Sequence, residues 1–279
     1  MRPSRQAVPY RLGIFAPAFR FAIPALLVLS GCQKQETPST QATQQTPVST
    51  IRVTPATDGL LVQTSTAEFV LFPSGYLKAS LAGKRAPSTL DDPATQPGQL
   101  LTVAHHPVSD FSLDLARAQV SEAQGKLGRA GKRIELHASS PSSALDETLL
   151  LEFYDDFPGL ALMSASFRNT GQKDVSLDAV TLQRHRFNAT QADAAAAHNQ
   201  IRTFQGSSLK WGKDETFAMP AKFSQQNPFG APVETKDGLG RVGGGIPVIA
   251  FWTAHIGEAV GHLETVPLVL SIPVETTSD

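Results

Sequence analysis

The stretch DDFPGLALMSASFRNTG (residues 155–171) decides the fold class. Asp155, Asp156, Pro158 and Gly159 have the chemistry of a turn. A run of mixed apolar and polar residues starts at Leu160, and Asn169, Thr170 and Gly171 close it with a second turn. Strand, turn, strand is the reading. Working outward, FSLDLARAQV (residues 111–120) alternates, with Phe111, Leu113 and Leu115 on one face and Ser112 and Asp114 on the other, which predicts a half-buried strand. Further strands are expected in LLVQTS, YLKASLA, QLLTVAHHPV, RIELHA, TLLLEFY, VSLDAVTLQRHRF, PVIAFW, EAVGHLE and PLVLSIPVE, separated by Gly, Pro, Asn and Asp clusters. Many strands without helical partners predict an all-β fold of packed antiparallel sheets. The one helical candidate, ATQADAAAAHNQ, is alanine-rich but short and lacks an apolar stripe, so an ordered loop or a turn or two is expected. Residues 51–279 are enough chain for one large domain burying roughly 70% of its unfolded surface, without disulfides.

The glycines of KDGLGRVGGGIPVIAFW (residues 236–252) match the spacing of a dinucleotide-binding turn at Gly238, Gly240 and Gly243. That mechanism needs a strand leading in and a helix leading out, whose N-terminus holds the pyrophosphate. Pro228 and Pro232 break the approach, and Val248, Ile249, Phe251 and Trp252 predict a strand beyond it. The glycines are therefore assigned to a tight loop feeding a strand, and no cofactor is expected.

The first residues carry a different signal. Arg2, Arg5, Arg11 and Arg20 form a basic stretch without acids, followed by the apolar FAIPALLVL (residues 21–29). Arg20 and Pro24 interrupt a segment already shorter than the roughly 20 apolar residues of a membrane span. The run Leu29, Ser30, Gly31, Cys32 resembles a bacterial lipobox, at which lipoprotein precursors are cleaved before the cysteine and its thiol is acylated. Cys32 is the chain's single cysteine, so no intrachain disulfide forms. Residues 1–31 are expected to be a signal peptide and residues 32–50 a lipidated, disordered tether, since QKQETPSTQATQQTPVST holds no large apolar residue. Acyl chains at about 0.8 kcal/mol per buried CH₂ make membrane lipid the expected partner through Cys32. Gln33 and Lys34 after the cysteine resemble signals for the outer membrane. Losing the four leader arginines takes the total of 24 basic and 25 acidic residues to 20 against 25, and a mildly acidic protein without a basic stripe excludes a nucleic-acid role.

Chemistry is sparse. Two carboxylates working across a glycosidic bond stand roughly 5 to 10 Å apart, whereas Asp155 and Asp156 are neighbours in a turn and are assigned to turn formation. His105, His106, His137, His185, His198, His255 and His262 show no ligand spacing, and no metal site is expected. No nucleophile elbow or zinc-protease signature occurs. Trp252, ending an apolar strand, is expected in the core. Trp211, between Lys210 and Lys213 in a polar stretch, is the candidate carbohydrate contact.

FQGSSLKWGKDETFAMPAKFSQQNPFG, GGGIPVIAFW and EAVGHLETVPLVLSIPVE, in that order, with YDDFPGLALMSASFRNTGQKDVSL before them, resemble the N-terminal β-supersandwich of α-galactosidase-like, melibiase-type glycoside hydrolases. The resemblance spans roughly residues 64–275 and implies a large antiparallel β-supersandwich over residues 51–279. In that family the catalytic carboxylates belong to a following (β/α)₈ barrel of about 250 residues. The expectation is that this barrel is absent, leaving no catalytic residue to assign and no activity for the chain alone. Three functions stay open. The first is a non-catalytic, lipid-anchored sandwich in galactoside or polysaccharide handling, working with a galactoside or a separate barrel. The second is a self-sufficient carbohydrate-binding or protein-interaction module on the envelope, and the third is a hydrolase with an unrecognised site. Cys32→Ser is expected to move the protein from the membrane pellet to the soluble fraction; unchanged pelleting and lipid labelling would contradict the lipobox reading.

Overall fold

The computed structural model describes residues 48–83, 88–92, 96–123, 125, 127–192, 201–208, 215–229, 233–235, 238–240, 244–263 and 270–276. The expected signal peptide and most of the expected tether lie outside these residues. The fold is all-β and antiparallel, in agreement with the sequence.

The first half is a sandwich. Strands β1 (Arg52–Pro55), β2 (Leu60–Gln63), β3 (Ala67–Leu71) and β4 (Leu77–Leu81) form a meander in sequence order. Strands β5 (Leu100–Val103) and β6 (His106–Val108) make a hairpin. Strands β7 (Gln119–Glu122), β8 (Gly131–Ser140), β9 (Leu145–Tyr154) and β10 (Ala161–Asn169) form a second meander. Alternation on β3 and β9 points Phe69, Leu71, Leu149, Leu151 and Phe153 inward, and both meanders contribute to one core. The Phe69 and Phe153 rings meet 5.2 Å apart at its centre. The opening hairpin is as expected, with β10 pairing β9 over its whole length, from Ala161 opposite Phe153 to Asn169 opposite Leu145. Asn169 Oδ1 accepts the Gly171 N–H at 2.9 Å, the local bond that makes Asn a turn former.

Strand β11 (Leu177–Thr181) pairs with β5. A single helical turn, α1 (Ala189–Ala192), follows. The second half is built on β12 (Arg202–Ser208), β13 (Glu215–Ala218), β18 (Gly244–Trp252) and β19 (Gly257–Gly261), in the order β13-β12-β18-β19. Short strands β14 (Ser224–Gln225) and β15 (Pro228–Phe229) pair with β21 (Val274–Glu275) and β20 (Leu270–Ser271). A second core gathers Ile201, Met219, Ile249 and Val274. Buried Asn227 stitches this half together, its amide donating to Gln205 Oε1 at 2.8 Å and to the Ile272 carbonyl at 3.1 Å.

The structure corrects three strand assignments. In FSLDLARAQV, Phe111 and Leu113 are buried as the alternation demands, but the backbone there joins no ladder. Leu113 N–H donates to the Pro73 carbonyl and Asp114 N–H to that of His137, a 3₁₀ turn occupies Leu115–Arg117, and the strand starts at Gln119. QLLTVAHHPV is a hairpin instead of one strand, because Ala104 and His105 take left-handed conformations (φ 48° and 68°) in a two-residue turn. VSLDAVTLQRHRF leaves its ladder after Thr181.

Gly238 and Gly240 lie within a strand and not in the tight loop expected, though the pattern does lead toward a strand as read from sequence. Strand β16 (Val233–Thr235) pairs with β17 (Gly238–Gly240), and Gly244 begins β18. Gly243 lies outside the described residues. No helix N-terminus follows to receive a pyrophosphate among the described residues.

Phe153 is fully buried between the sheets, so Phe153→Ala is expected to cost about 3–5 kcal/mol in urea denaturation, the transfer and cavity terms together. Val180→Ala on the exposed face of β11 is expected to change stability by no more than about 0.5 kcal/mol. Equal effects at the two positions would contradict the assigned core.

Candidate functional site

The densest polar arrangement lies where the two halves meet and begins with a tight turn. Gly75 adopts φ 77° ahead of β4, and a Cβ on Gly98 would stand 2.2 Å from the Gly75 carbonyl, so only glycine lets the two strands of chain touch there. The turn delivers Tyr76 into the interior with its ring almost wholly buried. From the other side comes Asp91, which is also fully buried.

Asp91 collects three donors from two segments. Its Oδ1 accepts from the Tyr76 hydroxyl at 2.6 Å and faces His185 Nδ1 at 3.0 Å, and its Oδ2 accepts the Ala79 N–H of β4 at 2.8 Å. Its own N–H donates to Thr89 Oγ1 at 3.0 Å. The Tyr76 oxygen in turn accepts the Arg186 N–H at 3.0 Å. A bridge between Asp91 and Phe187 aligns the two chain segments, and Asp92 N–H donates to the Arg186 carbonyl at 2.7 Å. This is why the sequence after Thr181 leaves its ladder: the backbone around His185 and Arg186 bonds to the Tyr76 and Asp91 segments instead.

The fourth member arrives from β19. Glu258 Oε1 accepts the Leu90 N–H at 2.8 Å and lies 3.2 Å from Thr89 Oγ1, whose hydroxyl donates to the Ala79 carbonyl at 2.5 Å. Apolar packing reinforces it, with Leu90 and Ile256 in a small core against Phe187 and Phe251. The Phe187 ring stacks on His185 at 5.6 Å and meets Phe251 at 5.0 Å.

Burial pushes both acids up, yet their net shifts are opposite. For Asp91, desolvation pushes the pKa up, but hydrogen bonds from His185, the charge of that ring and the Tyr76 and Ala79 donors outweigh it, and the carboxyl is held below its ordinary range. For Glu258, burial and the negative charge of Asp91 both disfavour ionisation and push the carboxyl up to about 8. The Tyr76 phenol is held above its ordinary value by burial and by Asp91.

Chemically, the Asp91 contact to Nδ1 sets the orientation of the His185 ring, as in a nucleophilic triad. The remaining nitrogen, Nε2, faces Gln183 Oε1 at 3.2 Å, not a hydroxyl or thiol, and the His185 side chain is only 14% exposed. The arrangement suits holding backbone in place far better than attacking a substrate.

Other candidates are dispersed. Asp155 lies in the β9–β10 turn as assigned, and its Oδ1 accepts from the N–H of Thr50 at 3.0 Å and from the Thr50 hydroxyl. Asp156 is exposed in the same turn. His105 pairs with Asp178 at 3.3 Å on the surface, and His137 lies on β8 beside Glu135. Among the described residues no group of three or more His, Cys, Asp or Glu side chains is placed to hold a metal. Trp252, expected in the core, is half-buried at the end of β18. Cys32, Trp211 and His198 lie outside the described residues.

The cluster is not legible in the sequence because its members are far apart, Asp91 and His185 by 94 positions. The signal available was local: Thr89 two residues before Asp91 is the spacing for the hydroxyl-to-backbone bond found there. A second buried acid is likewise not legible. Glu147 points into the first core from β9 with neither carboxyl oxygen hydrogen-bonded, and burial pushes it up to about 7, opposed only by the nearby Gln99 amide. Compared with known proteins, the chain matches no family model and no curated sequence.

The pH dependence of stability follows. Glu147 and Glu258 have folded-state pKa values above their ordinary ones, so their contribution is fully present below about pH 4.5 and is lost as pH rises through about 7 for Glu147 and about 8 for Glu258. Asp91, held low, contributes above its ordinary range and loses that contribution as pH falls through its folded value. The melting temperature is therefore expected to fall between about pH 5 and pH 9, and Glu258→Gln is expected to flatten that fall. A melting temperature that rises with pH over this range, or a slope unchanged in Glu258→Gln, would contradict the assignment.

Proposed function

We propose that the chain is a non-catalytic, lipid-anchored β-sandwich of the α-galactosidase-like kind that handles galactosides or related polysaccharide on the bacterial envelope. Cys32 is the lipidation site, the outer membrane the proposed location, and Trp211 the proposed sugar contact. One observation carries the non-catalytic part: three acids that could serve as acid or base are bonded to the chain's own backbone. Asp91 holds the Ala79 N–H, Glu258 the Leu90 N–H and Asp155 the Thr50 N–H. Glycoside hydrolysis by the usual route needs two carboxyl groups free to face a scissile bond from opposite sides.

The galactoside part rests on the resemblance in sequence, and the antiparallel all-β fold is of the class that resemblance implies. Among the described residues, the segments that carry the resemblance include the turn before β10, β10 itself and strands β12, β18 and β19 of an antiparallel all-β domain. A protein-interaction module is the second reading, favoured by β11, where Leu177 and Val180 are both exposed on one short strand. Fold alone does not choose between the two.

Calorimetric titration of an α-galactoside is expected to show binding by the purified protein and a loss of about 1 kcal/mol or more in Trp211→Ala. The same protein is expected to release no sugar from an aryl α-galactoside on prolonged incubation. Absence of binding by the unaltered protein would overturn the galactoside reading in favour of protein interaction. Turnover that tracks the protein and is lost in Asp155→Asn would overturn the non-catalytic one.

A further inference from the structure

The described chain begins at one end of the first sandwich. Thr50 is bonded through its N–H and its hydroxyl to Asp155 in the β9–β10 turn, which fixes where the preceding chain joins the domain. The tip of that turn is Phe157, Pro158, Gly159 and Leu160, closed by the Leu160 N–H donating to the Phe157 carbonyl at 3.0 Å. Two features make it rigid and outward-facing. Thr64 Oγ1, from the β2–β3 turn, donates to the Pro158 carbonyl at 2.6 Å, and a Cβ on Gly159 would meet nothing within 4 Å.

The tip is apolar where a loop end is ordinarily polar. Phe157 is 48% and Leu160 40% exposed, and Val48, just ahead of the Thr50 contact, is 83% exposed. The acids of the turn are directed away from it: Asp155 is engaged by Thr50, and Asp156 Oδ2 lies 2.8 Å from where a Gly128 Cβ would stand, folded against the β7–β8 loop. Arg52 and Arg129 are exposed nearby in sequence to Thr50 and Gly128.

We propose that this tip, with Val48, is a second membrane contact that seats in the phospholipid interface while Cys32 is anchored. The proposal rests on the lipoprotein reading. Seventeen residues separate Cys32 from Thr50, a span of at most roughly 60 Å, and because the connection is made at Thr50, the anchor draws this end of the domain toward the bilayer. Phenylalanine and leucine at a fixed, solvent-facing turn partition into the interface between headgroups and acyl chains. The contact turns a tethered domain into an oriented one, with β9 and β10 running away from the membrane.

The test uses the full lipidated chain on vesicles of phosphatidylethanolamine and phosphatidylglycerol carrying a nitroxide-labelled lipid. With Cys32 acylated, Leu160→Cys supplies one free thiol for an environment-sensitive fluorophore. Gln172→Cys, exposed at the far end of β10 and roughly 30 Å away, supplies the reference. Nitroxide quenching is expected to be several-fold stronger at position 160 than at position 172. Equal or stronger quenching at 172, or no quenching at either site on protein that floats with the vesicles, would overturn the proposal and leave the anchor standing. Protein that carries no lipid and does not float would remove the anchor reading, and the proposal with it.

Discussion

A carboxylate taken out of water must be surrounded by donors, and the demands of Asp91 organise the contact between the Tyr76–Ala79 stretch and the segment after β11, beside the point where Glu258 of β19 joins. With no exposed surface, Asp91 takes hydrogen bonds from a phenol, an imidazole and a backbone amide. The donors come from two distant stretches of chain: Tyr76 and Ala79 at the start of β4, and His185 in the segment after β11. Removing the acid while leaving its donors buried would cost more than any one bond contributes, because each orphaned group would keep its own desolvation penalty. The geometry is therefore over-determined. The strand that would have continued from β11 gives up its ladder so that its backbone can bond to the Tyr76 and Asp91 segments.

Glu258 extends the same logic to the second half. It reaches from β19 to the Leu90 N–H, next to Asp91, and the Leu90, Ile256, Phe187 and Phe251 side chains exclude water around the contact. Two acids this close cannot both ionise readily. One is held charged by its donors and the other is driven toward the neutral form, a division of labour set by the environment of each. Glu147 is the contrasting case: it is buried on β9 beside Gln99 alone, and desolvation raises it against the lowering influence of that amide. The first arrangement is structural cement, and the second is a polar group tolerated inside an apolar sandwich.

The fold class was legible because it rests on local signals. Turn chemistry at Pro158, Gly159 and Asn169 marks the ends of β10, and apolar runs such as TLLLEFY place β9. Alternation at Phe111, Leu113 and Leu115 correctly reported which side chains face inward, yet misreported the backbone. Burial alternates in any extended chain, while a ladder also needs a neighbour in register. Ala104 and His105 were unreadable for another reason, since non-glycine residues carry the left-handed turn there. The cluster around Asp91 is a product of tertiary structure. Nothing local says that Tyr76, Asp91, His185 and Glu258 converge, and Cys32 and Trp211, the residues sequence singled out, belong to other parts of the chain.

Asp91, Glu258 and Asp155 thus serve the architecture of the domain, and Asp91 is expected to couple its two halves through the neighbouring Leu90 amide that Glu258 holds from β19. Native-state hydrogen exchange on the Asp91→Ala protein tests that most directly. The amides of β9 and β18 should exchange with a common opening free energy in the unaltered protein and with separate ones in the variant, the second half opening first, while the Ala79 and Arg186 amides lose protection together. A variant in which β9 and β18 still open with one shared free energy, and in which Ala79 stays protected, would contradict the role assigned to Asp91.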